Sequence, residues 1–374
     1  MRIGLLKYRE FHDPILRPAF EALRKDHDCL LTLSEAELIK HRPDVVIMAE
    51  AVAGRLRQQM PRALFIHTRH GLASKGHAYK GANESDYLCV TSPAMRDWYL
   101  KNNAHPRRDF WIIGYLQMDP IFRGIELPLP DGMRVDPSRK AVLFAPTCTV
   151  QMSGAPMLGE RFVERIRGNR QDVSIIIKPH PLIAKQNPQW IEWWRAAAAV
   201  DPHVHLLQNL NADIMPFLQR ADLLISDASS VMLEYLALDR PMVLLSNPAR
   251  TSCKEYDTRG YEWTWRDMGE DVEDPDQLAS AVNHALDNPT ERAGQRARYR
   301  EQLFGQYTDG RAFERLTAHV HEVRSVVPRV RTAYTLQWPL RKIGGATRRL
   351  KRLFTGSNGS APVPPQSSER EIVA

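Results

Sequence analysis

The segment LLISDASSVMLEY, residues 223–235, joins a short apolar run to an amphipathic stretch through a turn of small polar residues. Short apolar runs that alternate with amphipathic segments are typical of βα units and predict a parallel sheet. The alternation recurs along most of the 374-residue chain, which is long enough for two domains and has 43% hydrophobic residues. We therefore predict an α/β fold made of two Rossmann-like halves that face each other across a cleft.

The apolar runs predict five strands in each half of the chain. They cover residues 3–6, 45–48, 64–67, 87–90 and 111–113 in the first half, and 141–144, 174–177, 204–207, 223–225 and 242–245 in the second. Residues 127–137 (LPLPDGMRVDP) lack periodicity and predict a linker. The predicted domains are therefore 1–126 and 138–328, with helix over 188–200 and most of 289–323.

A basic stretch near the C-terminus carries the net charge of the chain, which is +7 at pH 7. Nine basic residues and no acidic residue lie between Val323 and Ser368; they are Arg324, Arg329, Arg331, Arg341, Lys342, Arg348, Arg349, Lys351 and Arg352. Each contributes on the order of 1 kcal/mol near an anionic leaflet, so residues 329–354 predict binding to an anionic membrane surface. A solvated tail is the alternative. Residues 355–374 predict a disordered tail.

Several kinds of site have no support in the sequence. The four cysteines form no CxxC pair, and no HExxH, GxGxxG or GxxxxGK[ST] pattern occurs, so we predict no disulfide, no metal-ligand set and no cofactor. The site demands no metal and excludes none. Few aromatic residues accompany the basic stretch, so nucleic acid is not an expected partner. The apolar start at 3–6 is too short for a signal peptide, and no run of about 18 apolar residues occurs. We expect a cytoplasmic protein at the inner face of the cell membrane.

Polar residues follow five of the predicted strands at their carboxyl ends, where ligands bind in open α/β sheets. They are His70 and Gly71, Gly114 and Tyr115, Pro146 and Thr147, Lys178 and His180, and the group Asp227, Ser229, Ser230 and Glu234. Asp309 comes late in the chain, just before a predicted helix. We expect these residues to contribute to one ligand site.

Two of these groups contain an imidazole beside a lysine. His70, Gly71 and Lys75 share one loop, a grouping suited to base catalysis near a phosphate. Lys178 precedes His180, which is held between two prolines of fixed φ. A helix-capping histidine and a structural turn are the respective alternatives.

The serines at 229 and 230 open the helix that follows their strand. Serine hydroxyls and backbone N–H groups at such a position can bind a phosphate. Plain N-capping, which serine also does, is the structural alternative.

Together these motifs resemble the CDP-glycerol glycerophosphotransferase family of teichoic-acid primases and polymerases. The resemblance rests on HGxxxKG at 70–76, GYxxxD at 114–119, APT at 145–147, KPHP at 178–181, SDxSSVMxEY at 226–235 with RPMVLL at 240–245, and FxxYTDGRAxERL at 304–316. It covers residues 70–316 in the order that the family has.

The resemblance implies a GT-B-like fold, in which an acceptor hydroxyl attacks the β-phosphorus of CDP-glycerol and CMP is released. In the matching positions His70 would be the general base, and His180 would contact the donor phosphates and offset charge on the CMP that leaves. The predicted substrate-binding set is Thr147, Ser229 and Ser230 for the pyrophosphate, Glu234 and Asp309 for hydroxyls of cytidine or glycerol, and Gly71, Lys75, Lys178 and Asp227 beside them.

The expected partners are a CDP-activated donor, bound by the second domain, and a lipid-linked or saccharide acceptor, bound by the first. Two other functions remain open from the sequence. One is a GT-B glycosyltransferase that uses a nucleotide-sugar in capsule or lipopolysaccharide assembly. The other is a nucleotide-binding membrane scaffold without turnover.

Overall fold

Two parallel sheets of six strands each form the framework of the protein. The computed structural model describes residues 1–73 and 78–327, with backbone alone at 78–80 and 131. Lys75, the predicted membrane-binding segment 329–354 and the predicted tail 355–374 lie outside the described residues. The predictions made for them stay predictions.

The first sheet contains the strands β1 (Arg2–Leu6), β2 (Asp28–Thr32), β3 (Val45–Met48), β4 (Leu64–His67), β5 (Tyr87–Val90) and β6 (Asp109–Ile112). The second contains β7 (Lys140–Phe144), β8 (Val173–Ile177), β9 (Val204–Leu206), β10 (Leu223–Ser226), β11 (Met242–Leu245) and β12 (Glu270–Val272). Central strands such as β3, β8 and β11 are buried along their whole length. Both faces of a parallel sheet are covered by helices, which explains why these strands are continuous apolar runs.

The strand orders define where ligands can bind. The first sheet has the order β2-β1-β3-β4-β5-β6 and the second the order β12-β11-β10-β7-β8-β9. In each sheet the order reverses between two neighbouring strands, β1 and β3 in the first sheet and β7 and β10 in the second. Crevices open beyond the carboxyl ends of the strands at such switch points.

Helices connect the strands of both sheets. They are α1 (Asp13–Leu23), α2 (Glu35–His41), α3 (Ala53–Gln59), α4 (Ala78–Glu84), α5 (Pro93–Lys101), α6 (Asp119–Phe122), α7 (Ala155–Leu158), α8 (Phe162–Arg167), α9 (Ile183–Gln186), α10 (Pro188–Val200), α11 (Met215–Arg220), α12 (Val231–Tyr235), α13 (Tyr261–Thr264), α14 (Leu278–Asp287), α15 (Ala293–Phe304) and α16 (Ala312–Glu322). Among the described residues, none of these helices is long and apolar enough to cross a bilayer.

Local sequence explains where several helices begin. The hydroxyl of Ser92 accepts a hydrogen bond from the backbone N–H of Met95, and Pro93 follows at the first position of α5. Ser34 accepts the N–H of Glu37 at the start of α2 in the same way. The predicted helix over 188–200 is confirmed at both ends, because α10 spans Pro188–Val200. It begins at a proline, which is favoured at the first position of a helix.

The predicted fold class is confirmed, and so are all ten predicted strands, with ends that differ by at most two residues. The two strands that the sequence analysis missed, β2 and β12, lie at sheet edges. The edge strand β12 has the sequence Glu-Asp-Val, and β2 begins with an exposed aspartate. An edge strand has a neighbour on one side only and can carry polar residues, so it lacks the apolar run that predicted the others.

The last two helices return to the first half of the chain. Helix α16 packs against α1, and α15 packs against α5. Asp119 is buried and accepts hydrogen bonds from the backbone N–H groups of Ala312 (3.0 Å) and Phe313 (2.9 Å), which fixes the start of α16. The boundaries predicted for the two domains and the linker at 127–137 stay a prediction.

Candidate active site

One cleft collects side chains from the carboxyl ends of both sheets. The cleft is open, and its space, counted together with the part that is open solvent, is about 780 Å³. The first half contributes Phe11, His70 and Gln117, and the second half contributes Lys178, His180, Asp213, Ser229, Ser230 and Glu234 among others. Six of the predicted site residues, at 70, 178, 180, 229, 230 and 234, therefore line the same cleft.

His70 follows β4 and has a defined ring orientation. Its Nδ1 atom lies 3.0 Å from the carbonyl oxygen of Ala49. A carbonyl oxygen only accepts, so Nδ1 carries the proton and Nε2 is the basic nitrogen. The residue before it, Arg69, has a φ of 65°, and its guanidinium is held by the carbonyl oxygens of Leu72 and Ala73. His70 is thus presented to the cleft in the tautomer that can accept a proton.

Gly71 allows the loop after β4 to approach the serine turn of the second half. A Cβ atom at this position would lie 2.9 Å from Ser230 Oγ and 3.2 Å from Ser230 Cβ. Real Cβ atoms almost never show the first of these distances. The glycine is therefore explained by the close contact between the two halves at this side of the cleft.

His180 has the opposite ring orientation. Its Nδ1 atom accepts a hydrogen bond from the backbone N–H of Leu182 at 3.2 Å. The neutral ring therefore carries its proton on Nε2 and is a hydrogen-bond donor there. The Phe11 ring contacts both imidazoles, and its centroid lies 5.9 Å from that of His70 and 6.3 Å from that of His180. The cleft thus contains one imidazole suited to accept a proton and one suited to donate a hydrogen bond.

Lys178 supplies positive charge beside His180. Its ammonium group donates to the carbonyl oxygens of Leu210 (2.9 Å) and Pro179 (3.2 Å). Burial lowers the pKa of this lysine to about 8, and the nearby Asp213 acts in the opposite direction. At neutral pH the group remains a cation, and it is only 7% exposed. A weakly solvated cation at the wall of a cleft favours a phosphate ligand.

Glu234 lies at the floor of the cleft and spans the two halves. The Tyr115 hydroxyl, from the first half, donates a hydrogen bond of 3.0 Å to Glu234 Oε1. Burial raises the pKa of Glu234 to about 7, and the hydrogen bonds from Tyr115 and Ser230 partly offset it. Asp213 is a second acid in the cleft, and burial raises its pKa as well. Both carboxyls can meet hydroxyl or amino groups of a ligand.

Asp227 and Thr147 lie behind the wall of the cleft rather than in it. The buried carboxylate of Asp227 accepts hydrogen bonds from the N–H groups of Thr147 and Gly154, each at 3.0 Å. Asp227 therefore ties the end of β10 to the loop after β7. In that loop Ala145 and Pro146 line the cleft.

Asp309 is outside the cleft. It is ion-paired with Arg315 and accepts the backbone N–H of Arg311 at 3.2 Å. The Arg315 hydrogen bond holds the pKa of Asp309 below its usual value. The structure thus places this turn, residues 309–312, at the joint between α15 and α16 and outside the group of residues that lines the cleft.

Sequence reasoning missed four residues of this region: Phe11, His12, Glu50 and Asp213. Glu50 comes directly after Ala49 at the end of β3, so the strand-end argument used for His70 would also have found it. His12, Glu50 and His70 each present one ligand atom within 4.8 Å of the others, a spacing that could hold a metal ion. Phe11, His12 and Asp213 follow their strands only after intervening residues, and nothing in the sequence singles them out.

The two Rossmann-like halves and the cleft at their strand ends define a protein of the GT-B-like class. Within that class, the chain belongs to the family described as CDP-Glycerol:Poly(glycerophosphate) glycerophosphotransferase, which matches residues 45–322. The family resemblance inferred from the motifs is therefore confirmed.

Two further comparisons give similar proteins. Teichoic acid glycerol-phosphate primase of Bacillus subtilis (strain 168) is 26% identical over 161 residues, which are 42% of this chain and 39% of that protein. The match thus spans well under half of the relative's length. A variant of the wall teichoic acid polymerase TagF soaked with CDPG has a TM-score of 0.61 at 15% identity, over 86% of this chain and 88% of that chain.

The fold is shared more widely. UDP-GlcNAc 2-epimerase from Neisseria meningitidis, bound to UDP-GlcNAc, has a TM-score of 0.57 at 12% identity, over 86% of this chain and 100% of that chain. At such identities the likeness to these solved structures is one of fold alone.

Proposed function

We propose that this enzyme transfers glycerol phosphate from CDP-glycerol to a hydroxyl group of a lipid-linked or saccharide acceptor in cell-envelope polymer synthesis, and releases CMP. Family membership supports the donor. The observation that carries the mechanism is the pair of imidazoles in one cleft with opposite proton positions, His70 basic at Nε2 and His180 a donor at Nε2.

In the proposed reaction His70 is the general base. Its Nε2 takes the proton of the acceptor hydroxyl as the oxygen forms a bond to the β-phosphorus of the donor. An imidazole is the side chain best suited to general-base catalysis at neutral pH. Correct placement of the hydroxyl and the phosphorus supplies much of the rate in phosphoryl transfer.

His180 and Lys178 act on the leaving group. As the bond from the β-phosphorus to the bridging oxygen breaks, the electron pair and negative charge move onto the CMP phosphate. The Nε2–H of His180 donates a hydrogen bond to that charge, and the ammonium of Lys178 offsets it. Ser229 and Ser230 line the same wall and supply hydroxyl donors to the pyrophosphate.

The acids at the floor of the cleft are suited to the uncharged parts of the donor. Glu234 and Asp213 would repel the phosphates if ionised, but they can accept hydrogen bonds from sugar or glycerol hydroxyls. Gln117 lines the same region and hydrogen-bonds Tyr115 at 2.6 Å. We therefore assign Glu234 to donor hydroxyls and give Asp227 an indirect role, through the loop that it holds. The predicted contact of Asp309 with the donor has no support from its position.

Release of CMP from CDP-glycerol in the presence of a membrane lipid extract tests this function. The wild type should release CMP, and His70→Ala should lose activity by roughly 100-fold or more because a general base contributes about 10²–10⁴ in rate. His180→Ala should lose a comparable factor. The matched control is His105→Ala, since this histidine is exposed, lies between α5 and β6 and does not line the cleft.

A panel of CDP-ribitol, UDP-GlcNAc and other nucleotide-sugars separates the alternatives. Release of UDP or GDP in place of CMP would move the protein to the glycosyltransferases. Absence of release from every donor, with tight nucleotide binding retained, would instead support the scaffold.

The membrane location is a separate part of the proposal. The basic segment 329–354 would hold the enzyme at an anionic leaflet, where lipid-linked acceptors reside. Its support is the sequence alone, since the segment lies outside the described residues.

A further inference from the structure

Two side chains, those of His12 and Glu50, lie next to His70 and are not among the residues that line the cleft. His12 follows β1 and Glu50 follows β3, and these are the two strands between which the order of the first sheet reverses. His12 is fully buried, and its ring stacks on that of His70 with centroids 5.1 Å apart and an angle of 29°. The switch point of the first sheet thus converges on the imidazole that we assign as the base.

The orientation of His12 is fixed by the backbone. The N–H of Tyr8 donates to His12 Nδ1 at 3.1 Å, so this nitrogen is an acceptor and the proton of the neutral ring is on Nε2. That atom is buried, has no other hydrogen-bond partner and lies 3.5 Å from Glu50 Oε1. The Nε2–H of His12 therefore points toward the carboxylate of Glu50.

The same carboxylate oxygen lies 3.6 Å from His70 Nδ1, which also donates to the Ala49 carbonyl. Glu50 thus sits between the protonated nitrogens of two imidazoles. Burial raises the pKa of Glu50, but the His12 hydrogen bond and the nearby imidazoles outweigh it, so that the pKa is below its usual value. Glu50 is therefore a carboxylate at neutral pH.

A metal ion at these three residues conflicts with the hydrogen bonds. A metal would need the lone pairs of His12 Nε2 and His70 Nδ1, whereas Tyr8 and Ala49 place protons on both of these atoms. Binding a metal would require both backbone hydrogen bonds to break. The arrangement instead suits a carboxylate that orients two N–H groups.

We propose that Glu50 and His12 are positioning residues for His70: Glu50 holds His70 with its proton on Nδ1, and His12 holds Glu50. The inference rests on the proposed function, in which His70 Nε2 removes the acceptor proton. The ring then becomes an imidazolium, and the carboxylate of Glu50 stabilises its charge. The Nδ1 proton stays in place, so no proton moves to Glu50.

Other charged or titratable groups near His70 do not supply this charge. His67 is buried, and burial lowers its pKa to about 3, so the ring is neutral at working pH. Arg69 is a cation and disfavours an imidazolium. His180 lies across the Phe11 ring. Among these neighbours Glu50 is the one that carries negative charge.

Kinetics of Glu50→Gln test the proposal. Gln keeps the size of the side chain and removes its charge, so we expect kcat to fall roughly 10- to 100-fold with little change in the KM of the donor. The rising limb of the pH profile of kcat/KM should move to lower pH by about one unit, because a carboxylate at this distance favours the imidazolium. The matched control is Glu164→Gln, an exposed glutamate of α8.

The role of His12 is tested by two substitutions. His12→Gln retains an N–H donor and should keep more activity than His12→Ala, after each variant is shown to be folded by its thermal transition. In a His70→Ala background, Glu50→Gln should cause no further loss of activity, because its effect passes through His70. A further loss of 10-fold or more in that background would overturn the proposal.

A measurement without turnover keeps the inference separate from the proposed function. Protein labelled with ¹⁵N-histidine reports the tautomer and pKa of His70 by NMR, with His70→Ala used to assign its signal. The wild type should show the Nδ1–H tautomer, and Glu50→Gln should lower the pKa by about one unit. An unchanged pKa of His70 in that variant would overturn the inference, and so would tight Zn²⁺ binding that is lost in His12→Gln.

Discussion

Replacing Glu234 by Gln should stabilise the protein at pH 8 and leave its stability nearly unchanged at pH 4.5. Glu234 is buried, and burial raises its pKa from 4.5 to about 7. The folded protein therefore binds this proton more tightly than the unfolded chain. The stability that the protonated carboxyl contributes is fully present below pH 4.5 and is lost as the pH rises to 7.

The magnitude follows from the two pKa values. Their difference corresponds to roughly 3 kcal/mol, of which about 2 kcal/mol is lost between pH 5.5 and pH 8. Gln has no such titration, and its amide oxygen can still accept the hydrogen bond of Tyr115. The free energy of unfolding of the variant should therefore exceed that of the wild type by a margin that grows with pH.

Urea unfolding followed by tryptophan fluorescence at pH 5.5 and pH 8 measures this margin. The exposed Glu126 provides the matched control as Glu126→Gln, which should show no margin that depends on pH. A Glu234→Gln protein that is less stable than the wild type at pH 8, or whose margin is the same at both pH values, would refute the reasoning. CMP release by the stabilised variant should fall, because the site residue is lost.

Three more results are expected. Asp227→Ala leaves the N–H groups of Thr147 and Gly154 without their buried acceptor and should lower the free energy of unfolding by about 3–5 kcal/mol. Asp227→Asn should lower it less, and urea unfolding distinguishes the two variants. Because the pKa of Lys178 is about 8, the KM for CDP-glycerol should rise roughly 10-fold from pH 7 to pH 9, and Lys178→Met should abolish that rise. Replacing the six basic residues of 341–352 by Gln should abolish binding to anionic vesicles in a flotation assay. CMP release with a soluble acceptor should stay unchanged, and retained flotation would contradict the membrane proposal.

The sequence predicted the sheets well because their central strands are buried on both faces. Residues 45–48 and 242–245 are continuous apolar runs, and the structure begins and ends both strands at these residues. The edge strand at 270–272 carries two acidic residues and gave no such signal. Strand prediction from apolar runs is therefore strongest where the sheet is most covered.

The cleft was only partly predictable, and the reason is geometric. Residues that closely follow a strand, such as His70, lie at the same edge of the sheet, because the carboxyl ends of parallel strands meet there. Their position in the sequence is therefore enough to group them. His12 lies six residues beyond β1, in a turn whose path the sequence does not fix. Asp227 also follows a strand directly, yet its carboxylate accepts hydrogen bonds from the backbone N–H groups of Thr147 and Gly154 and does not line the cleft. The type of side chain alone does not predict which of these two roles it has.

The packing of α16 against α1 brings residues from the end of the described chain to the first half of the chain. Its sheet is complete by residue 112, but a helix that covers it is formed by residues 312–322. During synthesis on the ribosome, the second sheet emerges in full before that helix does. The second half can therefore finish folding before α1 gains its contact with α16, so the half of the chain that is translated first is completed last.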